Sequence, residues 1–330
     1  MPTRRPRLLL ISAALAALAL TACGDGASPA ASRITADPSA AAAGNALPTQ
    51  GGSGAIVIAS ANFPENQILA EVYRQALATA GYEATVKPLT TRPNIVAALA
   101  SDDVQVEPDY IGSLTEFLNK EKNGPSAPRV ANGNLAATTA KARELAAGKG
   151  LEVLTPSPAQ DQNAFAVTRA FSEQNKVTKL SDLTAYKGPL VLGGTPECKT
   201  YSLCQPGLEK TYGLTFTGFE QTDLGGTLSV SKLKSGKVTL GEFLSSDGGV
   251  KANDFVVLED DKMLQSVDNV VPVLSKRVAG DKLLVGVLDK VSAAMSTGDL
   301  IALNASVSID RKLPAQAAKD FLVAKGLVKA

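Results

Sequence analysis

Between Ala55 and Tyr82 the spacing of apolar positions changes. Ala55–Ala59 is a continuous apolar run, after which Ile68, Leu69, Val72, Tyr73, Ala76, Leu77 and Ala80 recur three and four residues apart. The first pattern predicts a short strand buried on both faces, the second a helix with one apolar face. Asn62, Pro64 and Glu65 form a helix-start signature that makes Asn62 a candidate cap, and Gly81 ends the helix. A strand feeding a helix leaves unpaired N–H groups and a partial positive charge at the carboxyl end of the strand. Ligands bind there in open α/β sheets, so this turn is the expected first wall of a binding site.

The alternation continues along the chain. Glu83–Leu89 reads as a strand, Pro93 to Ser101 as a short helix and Val104–Val106 as a buried strand. Glu107 to Ser113 (EPDYIGS) is a second polar turn, feeding a helix through Leu118; Leu135–Ala147 and Leu151–Leu154 read as a further helix and strand. The polar segment Pro156 to Asn163 suits a hinge. A second round follows: strands at Leu190–Leu192, Thr215–Gln221 and Val238–Phe243, with helices at Gln205–Tyr212 and Thr227–Leu233. Val96, Leu99, Ser101, Val104 and Val106 recur 134 residues later as Val230, Leu233, Ser235, Val238 and Leu240, a repeat whose extension pairs Tyr110 with Leu244. Two lobes of similar construction, each offering a turn to a shared cleft, are therefore expected. Asn269–Leu274 reads as a strand returning to the first lobe, and helices at Lys282–Met295, Asp299–Asn304 and Ala315–Leu327 close the chain. The expected architecture is α/β with parallel-type sheets and a two-stranded hinge, the chain crossing near residues 158 and 270.

The N-terminus changes this picture by adding a targeting segment. Arg4, Arg5 and Arg7 precede the largely apolar run Leu8–Leu20, which is too short to span a bilayer and suits a signal-peptide core. Leu20-Thr21-Ala22-Cys23 resembles the lipobox of bacterial lipoproteins, in which Cys23 would be lipidated; the alternative is an ordinary signal peptide with an incidental cysteine. Residues 1–22 are then the signal peptide, and residues 23–53, rich in Ala, Ser, Gly and Pro, the lipidated cysteine and a flexible tether. The body divides into a first lobe over residues 54–158, a second over 159–268, and a return to the first over 269–330. Cys198 and Cys204 are the remaining thiols, and in an exported chain such a close pair is an expected disulfide, contributing about 2 kcal/mol. Half of a metal site is the weaker reading, with no His or third Cys to complete it.

Composition narrows the function. Of 330 residues 45% are hydrophobic, enough for a large core. Without Arg4, Arg5 and Arg7 the chain has 30 Lys and Arg against 32 Asp and Glu, which gives no reason to expect nucleic acid as a partner. The absence of His removes the commonest general base and metal ligand, so no cofactor or metal is expected.

Four places carry a family resemblance: Ser60-Ala61-Asn62-Phe63-Pro64-Glu65; Glu107 to Gly112; Pro206-Gly207-Leu208 with Tyr212-Gly213; and Ser245-Ser246-Asp247 followed by Val256 to Asp261. From Ile56 to Ala330 the chain resembles the substrate-binding proteins of osmoprotectant ABC importers, the glycine betaine/carnitine/choline group. The resemblance implies a two-lobed periplasmic-binding-protein fold of type II that closes on a solute. It also implies delivery to an ABC permease and its ATPase; with the lipobox at Cys23, a lipid-anchored place on the extracytoplasmic face of the membrane is expected, and a monomer is the expected form. Quaternary ammonium groups carry no N–H, so aromatic faces hold them, at about 0.5–2 kcal/mol each. Tyr110 matches a cage tyrosine of the family; Asn62 and Phe63 lie in its first-strand turn, and Ser113, Tyr201 and Ser245 complete the expected ligand-binding set. The chain departs from the family at Ala61, Tyr201 and Leu244, where lysine, arginine and an aromatic are usual. These departures bear on the solute: a choline-like cation or another small polar solute lacking a carboxylate is the second reading, with Tyr201 as a replacement wall. Arg92 is either an anion contact or a solvated charge. Two other classes stand beside the receptor: an enzyme built on Asp109, Glu65 and Asp247, which no nucleophile motif, phosphate loop or metal spacing accompanies, and an envelope lipoprotein without a transport ligand.

Overall fold

The computed structural model describes residues 46–330. Cys23, the signal peptide and most of the expected tether lie outside the described residues.

Two five-stranded sheets organise the body. The first contains β1 (Ala55–Ala61), β2 (Glu83–Thr90), β3 (Val106–Tyr110), β4 (Leu151–Val153) and the late strand Val270–Ser275. The second contains β5 (Asn163–Thr168), β6 (Val191–Gly194), β7 (Gly218–Gln221), β8 (Leu240–Leu244) and β9 (Phe255–Val257). With Val270–Ser275 as β10, the strand orders are β2-β1-β3-β10-β4 and β7-β6-β8-β5-β9. In each sheet the first three strands run parallel, as expected from the alternation with helices. The fourth strand, β10 in one and β5 in the other, is antiparallel to the third and pairs antiparallel with the fifth. The sheets are therefore mixed rather than wholly parallel. The antiparallel members are the strands that enter a sheet from the other lobe, so they arrive from the opposite end. β5 is also a strand that the sequence pattern does not single out, because its alternation follows directly on the polar crossing segment.

The crossings pair with each other. The Asp161 N–H donates to the Asp268 carbonyl at 3.0 Å, and the Val270 N–H to that of Ala159 at 3.0 Å. This is the two-stranded hinge.

The helix Pro64–Thr79 packs its apolar face into the core of the first lobe, where Ile68, Leu69, Tyr73 and Leu77 are buried among Leu284, Leu288 and Leu322. Gly81, at φ +103°, turns the chain after it. Residues 46–53 do not behave as the expected tether. Leu47 is 4% exposed in the same core, its N–H donates to the Leu327 carbonyl at 2.9 Å, and the Gly52 N–H donates to that of Ala80 at 2.8 Å. One large apolar residue in a small-residue segment enters the core, bonds to Leu327 beyond the last helix, and fastens the strand start. In the second lobe Cys198 and Cys204 are bonded to each other, closing the loop that carries Tyr201.

Candidate functional site

Pro64 occupies the first helical turn, so the cap position falls on Phe63 rather than Asn62. Asn62 is exposed and is absent from the cavity lining, which departs from its expected role as cap or ligand contact. The residue that secures this turn is Asn66. Its Oδ1 accepts from the Ala61 N–H at 2.7 Å, and its Nδ2 donates to the Pro108 carbonyl at 2.7 Å, joining the ends of β1 and β3. Phe63 is thereby free to stack on Tyr110, with ring centroids 6.2 Å apart and planes 29° from parallel.

Tyr110 ends β3, and its ring orientation is fixed from behind. Its hydroxyl donates to Glu65 Oε1 at 2.5 Å, and the other oxygen of Glu65 accepts from Asn304 Nδ2. Asn304 also donates to the Ser246 carbonyl in the second lobe at 3.0 Å. Burial, then the Glu65 carboxylate, hold the Tyr110 phenol well above its ordinary range, so it is a neutral donor.

Between the two sheets, at the hinge, lies a cavity of about 550 Å³. Phe63, Tyr110 and Ser113 line it from the first lobe, Tyr201 and Leu244 from the second, with Asp161, Gln162 and Asn163 from the crossing segment. Tyr110 and Leu244, paired by the internal repeat, both reach it. Phe63 and Tyr201 are 40% and 39% exposed on opposite walls, an arrangement that closure of the lobes would cover. Ser245 is not part of the lining. Its hydroxyl donates to the Gln160 carbonyl at 3.1 Å and accepts from the Gln162 N–H at 3.0 Å, so it braces the hinge instead of facing the solute space.

The charged groups sort by what they already hold. Arg92 grips both carboxylate oxygens of Asp109 through its Nε and Nη2 groups, at 2.7 Å for the closest contact, and so is a paired, partly exposed charge rather than a free anion anchor. Glu116 accepts from the N–H groups of Val130 and Ala131 at 2.8 and 2.7 Å. Asp268 accepts from the N–H groups of Gly112 and Ser113 and from the Ser113 hydroxyl, at 2.6–2.9 Å, tying the return crossing to the helix Ile111–Asn123. A side chain at Gly112 would meet the Val267 carbonyl at 2.3 Å, so only glycine allows this approach. Burial raises Asp268 to about 6 against the pull of Ser113. Asp161 has a single side-chain donor, the Ser246 hydroxyl at 2.6 Å, and no cation pairs with it among the described residues. Burial, then the nearby Glu65 carboxylate, push Asp161 up to about 8. The sequence offered only a polar hinge segment as its signal. The carboxylates weighed as an acid–base set are each committed elsewhere: Asp109 to Arg92, Glu65 to Tyr110 and Asn304, and Asp247 to the Gly249 N–H as a helix cap.

The geometry is a cleft between two α/β lobes, with stacked aromatics and a half-buried carboxylate, Asp161, at the hinge. Residues 54–324 match the model of the family described as the substrate binding domain of ABC-type glycine betaine transport systems. The chain belongs to this family. Glycine betaine-binding protein YehZ of Escherichia coli K12 is 26% identical over 294 residues, 86% of this chain and 94% of the relative. A glycine-betaine-binding protein of Pseudomonas aeruginosa PAO1 is 27% identical over 275 residues, covering 80% and 86%. The structure of apo YehZ superposes with a TM-score of 0.71 at 25% identity, covering 82% of this chain and 98% of that one. A glycine betaine/carnitine/choline ABC transporter structure gives 0.72 at 20% identity, covering 82% and 99%, a likeness of fold. The chain is thus a substrate-binding protein of an ABC-type transport system. Among the described residues no helix is long and apolar enough to cross a membrane.

Proposed function

We propose that the protein is the extracytoplasmic receptor of an ABC importer for a quaternary-ammonium osmoprotectant of the glycine betaine, choline or carnitine type. It binds the solute without chemistry upon it, and Cys23 anchors it to the membrane by a lipid. The observation that carries the reading is the stacked Phe63–Tyr110 pair sharing one hinge cavity with Asp161. Aromatic faces attract a methylated cation, and Asp161 supplies the compensating charge. Ser113 and Tyr201 extend the walls on either lobe. Contacts to both lobes at once would shift an open–closed equilibrium toward the closed form. Thermal unfolding against a panel of osmolytes, sugars and amino acids tests this, since a ligand at 100 times its dissociation constant adds about 2.7 kcal/mol. Flat responses to every quaternary amine would sink the reading. Metabolic lipid labelling that is lost in Cys23→Ser checks the anchor.

The pH dependence has a definite sign. A methylated cation keeps its charge at every pH, so it favours ionised Asp161, which is about 8 in the free protein and faces Glu65, Asp268 and the Ser246 hydroxyl. Affinity should therefore rise from pH 6 toward 8, by up to about tenfold per unit, and level off above. Asp161→Asn should be weaker and nearly flat across pH 7–9, read by calorimetric titration. For the empty protein the sign reverses. A carboxyl raised from 3.8 to about 8 contributes stability below its unfolded value that is lost as pH rises toward 8. Asp161→Asn should accordingly raise the unfolding midpoint of the ligand-free protein at pH 8.

A further inference from the structure

Beside the main cavity is a smaller chamber of about 110 Å³, walled by Ala61, Thr90, Glu107 and Asp109. Phe63, Arg92 and Tyr110 line both spaces, so the chamber adjoins the aromatic pair. Its volume corresponds to three or four waters at about 30 Å³ each, enough for a short polar arm of a solute. The backbone is shaped around it: β1 and β2 lose register between Ser60 and Ala61, and Thr90, a β-branched residue, sits at φ +68°.

The polar accounting of the chamber is incomplete at one residue. Arg92 and Asp109 satisfy each other, and Asn66 is bonded at both ends. Glu107 is 2% exposed, and its Oε2 has no hydrogen-bond partner. Burial, then the Asp109 charge, hold its carboxyl well above the ordinary range, with Arg92 opposing only in part. A neutral carboxyl both donates and accepts, which matches a hydroxyl. A carboxylate entering the same chamber would meet Asp109 and compete for Arg92, whose guanidinium is already engaged.

We propose that this chamber is a specificity subsite in which Glu107 hydrogen-bonds an uncharged hydroxyl arm of a quaternary-ammonium solute and which disfavours a carboxylate arm. The proposal rests on the receptor reading above and names the solute class within it: an amino alcohol in preference to an amino acid betaine. Choline and glycine betaine make a matched pair for the test, since they share the trimethylammonium head and differ in the group at its far end. Titration calorimetry of the full chain should give choline an advantage of about tenfold or more. Glu107→Leu should abolish that advantage with little effect on glycine betaine, while Glu107→Gln, which still donates and accepts, should retain it. Ala61→Val narrows the chamber without altering the carboxyl, and should also weaken choline selectively. Equal affinities or a glycine betaine preference in the unaltered protein would overturn the subsite alone, as would a choline preference that survives both Glu107→Leu and Ala61→Val. Binding of neither solute would overturn the subsite, and binding of no quaternary amine, carnitine included, would overturn the receptor reading with it.

Discussion

Tyr110→Ala is expected to weaken binding of a quaternary-ammonium solute by up to about 30-fold. The ring contributes a cation–π contact of about 0.5–2 kcal/mol. Its removal also strands Glu65, which is buried and accepts the Tyr110 hydroxyl. Leaving that acceptor unpaired costs about 1–3 kcal/mol of stability, but in the free and the bound protein alike, so the affinity loss is that of the lost contact, up to about 2 kcal/mol or roughly one and a half decades. Phe63 would meanwhile lose the ring it stacks on. Tyr110→Phe separates the terms, because it keeps the aromatic face and deletes only the hydroxyl; its loss should be the smaller of the two. Calorimetric titration reads both, with unfolding curves to show that each variant is folded. An alanine variant within threefold of the unaltered protein would remove Tyr110 from the cage.

The second large effect concerns stability. Arg92→Ala leaves Asp109, 2% exposed in its side chain, without its cation. Breaking a buried pair from one side costs about 3 kcal/mol or more, because the remaining charge has lost its solvent and gained nothing. Arg92 itself is about one-third exposed, which places the expectation at the lower end of that range. The Tyr110 N–H also donates to Asp109, so part of the strain falls on the cage. Denaturant unfolding should show the loss, and Arg92→Ala with Asp109→Asn should recover much of it by removing the stranded charge. A double variant as unstable as the single one would mean that Arg92 acts through packing alone.

The fold was legible where periodicity is long or repeats. The Ala55–Tyr82 unit announces itself by a change of period, and the repeat between Val96–Val106 and Val230–Leu240 anticipates two sheets whose third strands end at Tyr110 and Leu244. The mixed character of the sheets was less legible, because strand direction follows from which lobe the chain has just left. Leu47 shows the limit of composition: a segment of small residues looks like a tether, and one buried leucine bonded to Leu327 makes its end part of the core.

The site divides in the same manner. Phe63, Tyr110, Ser113 and Tyr201 reach the cavity because each lies in a turn at a sheet's cleft-facing end or in the disulfide-closed loop. Asn62 and Ser245 fall outside the cavity lining by short steps along the chain. Pro64 moves the cap to Phe63, and the hinge draws the Ser245 hydroxyl to Gln160 and Gln162. Asp161 and Glu107 could not be singled out, since an aspartate in a polar hinge and a glutamate in a polar turn look solvated until the burial around them is known. The pairing of Arg92 with Asp109 likewise depends on the fold, which sets the start of one helix beside the strand β3.

The central claim is that a methylated cation binds once between the two lobes. Titration of the purified chain with choline and with glycine betaine at pH 8, followed by calorimetry, tests it most directly. Saturable one-to-one binding of at least one of them, weakened by both Tyr110→Ala and Asp161→Asn, is the predicted result. Absence of saturable binding by either solute and by carnitine, in a protein shown to be folded, would contradict it.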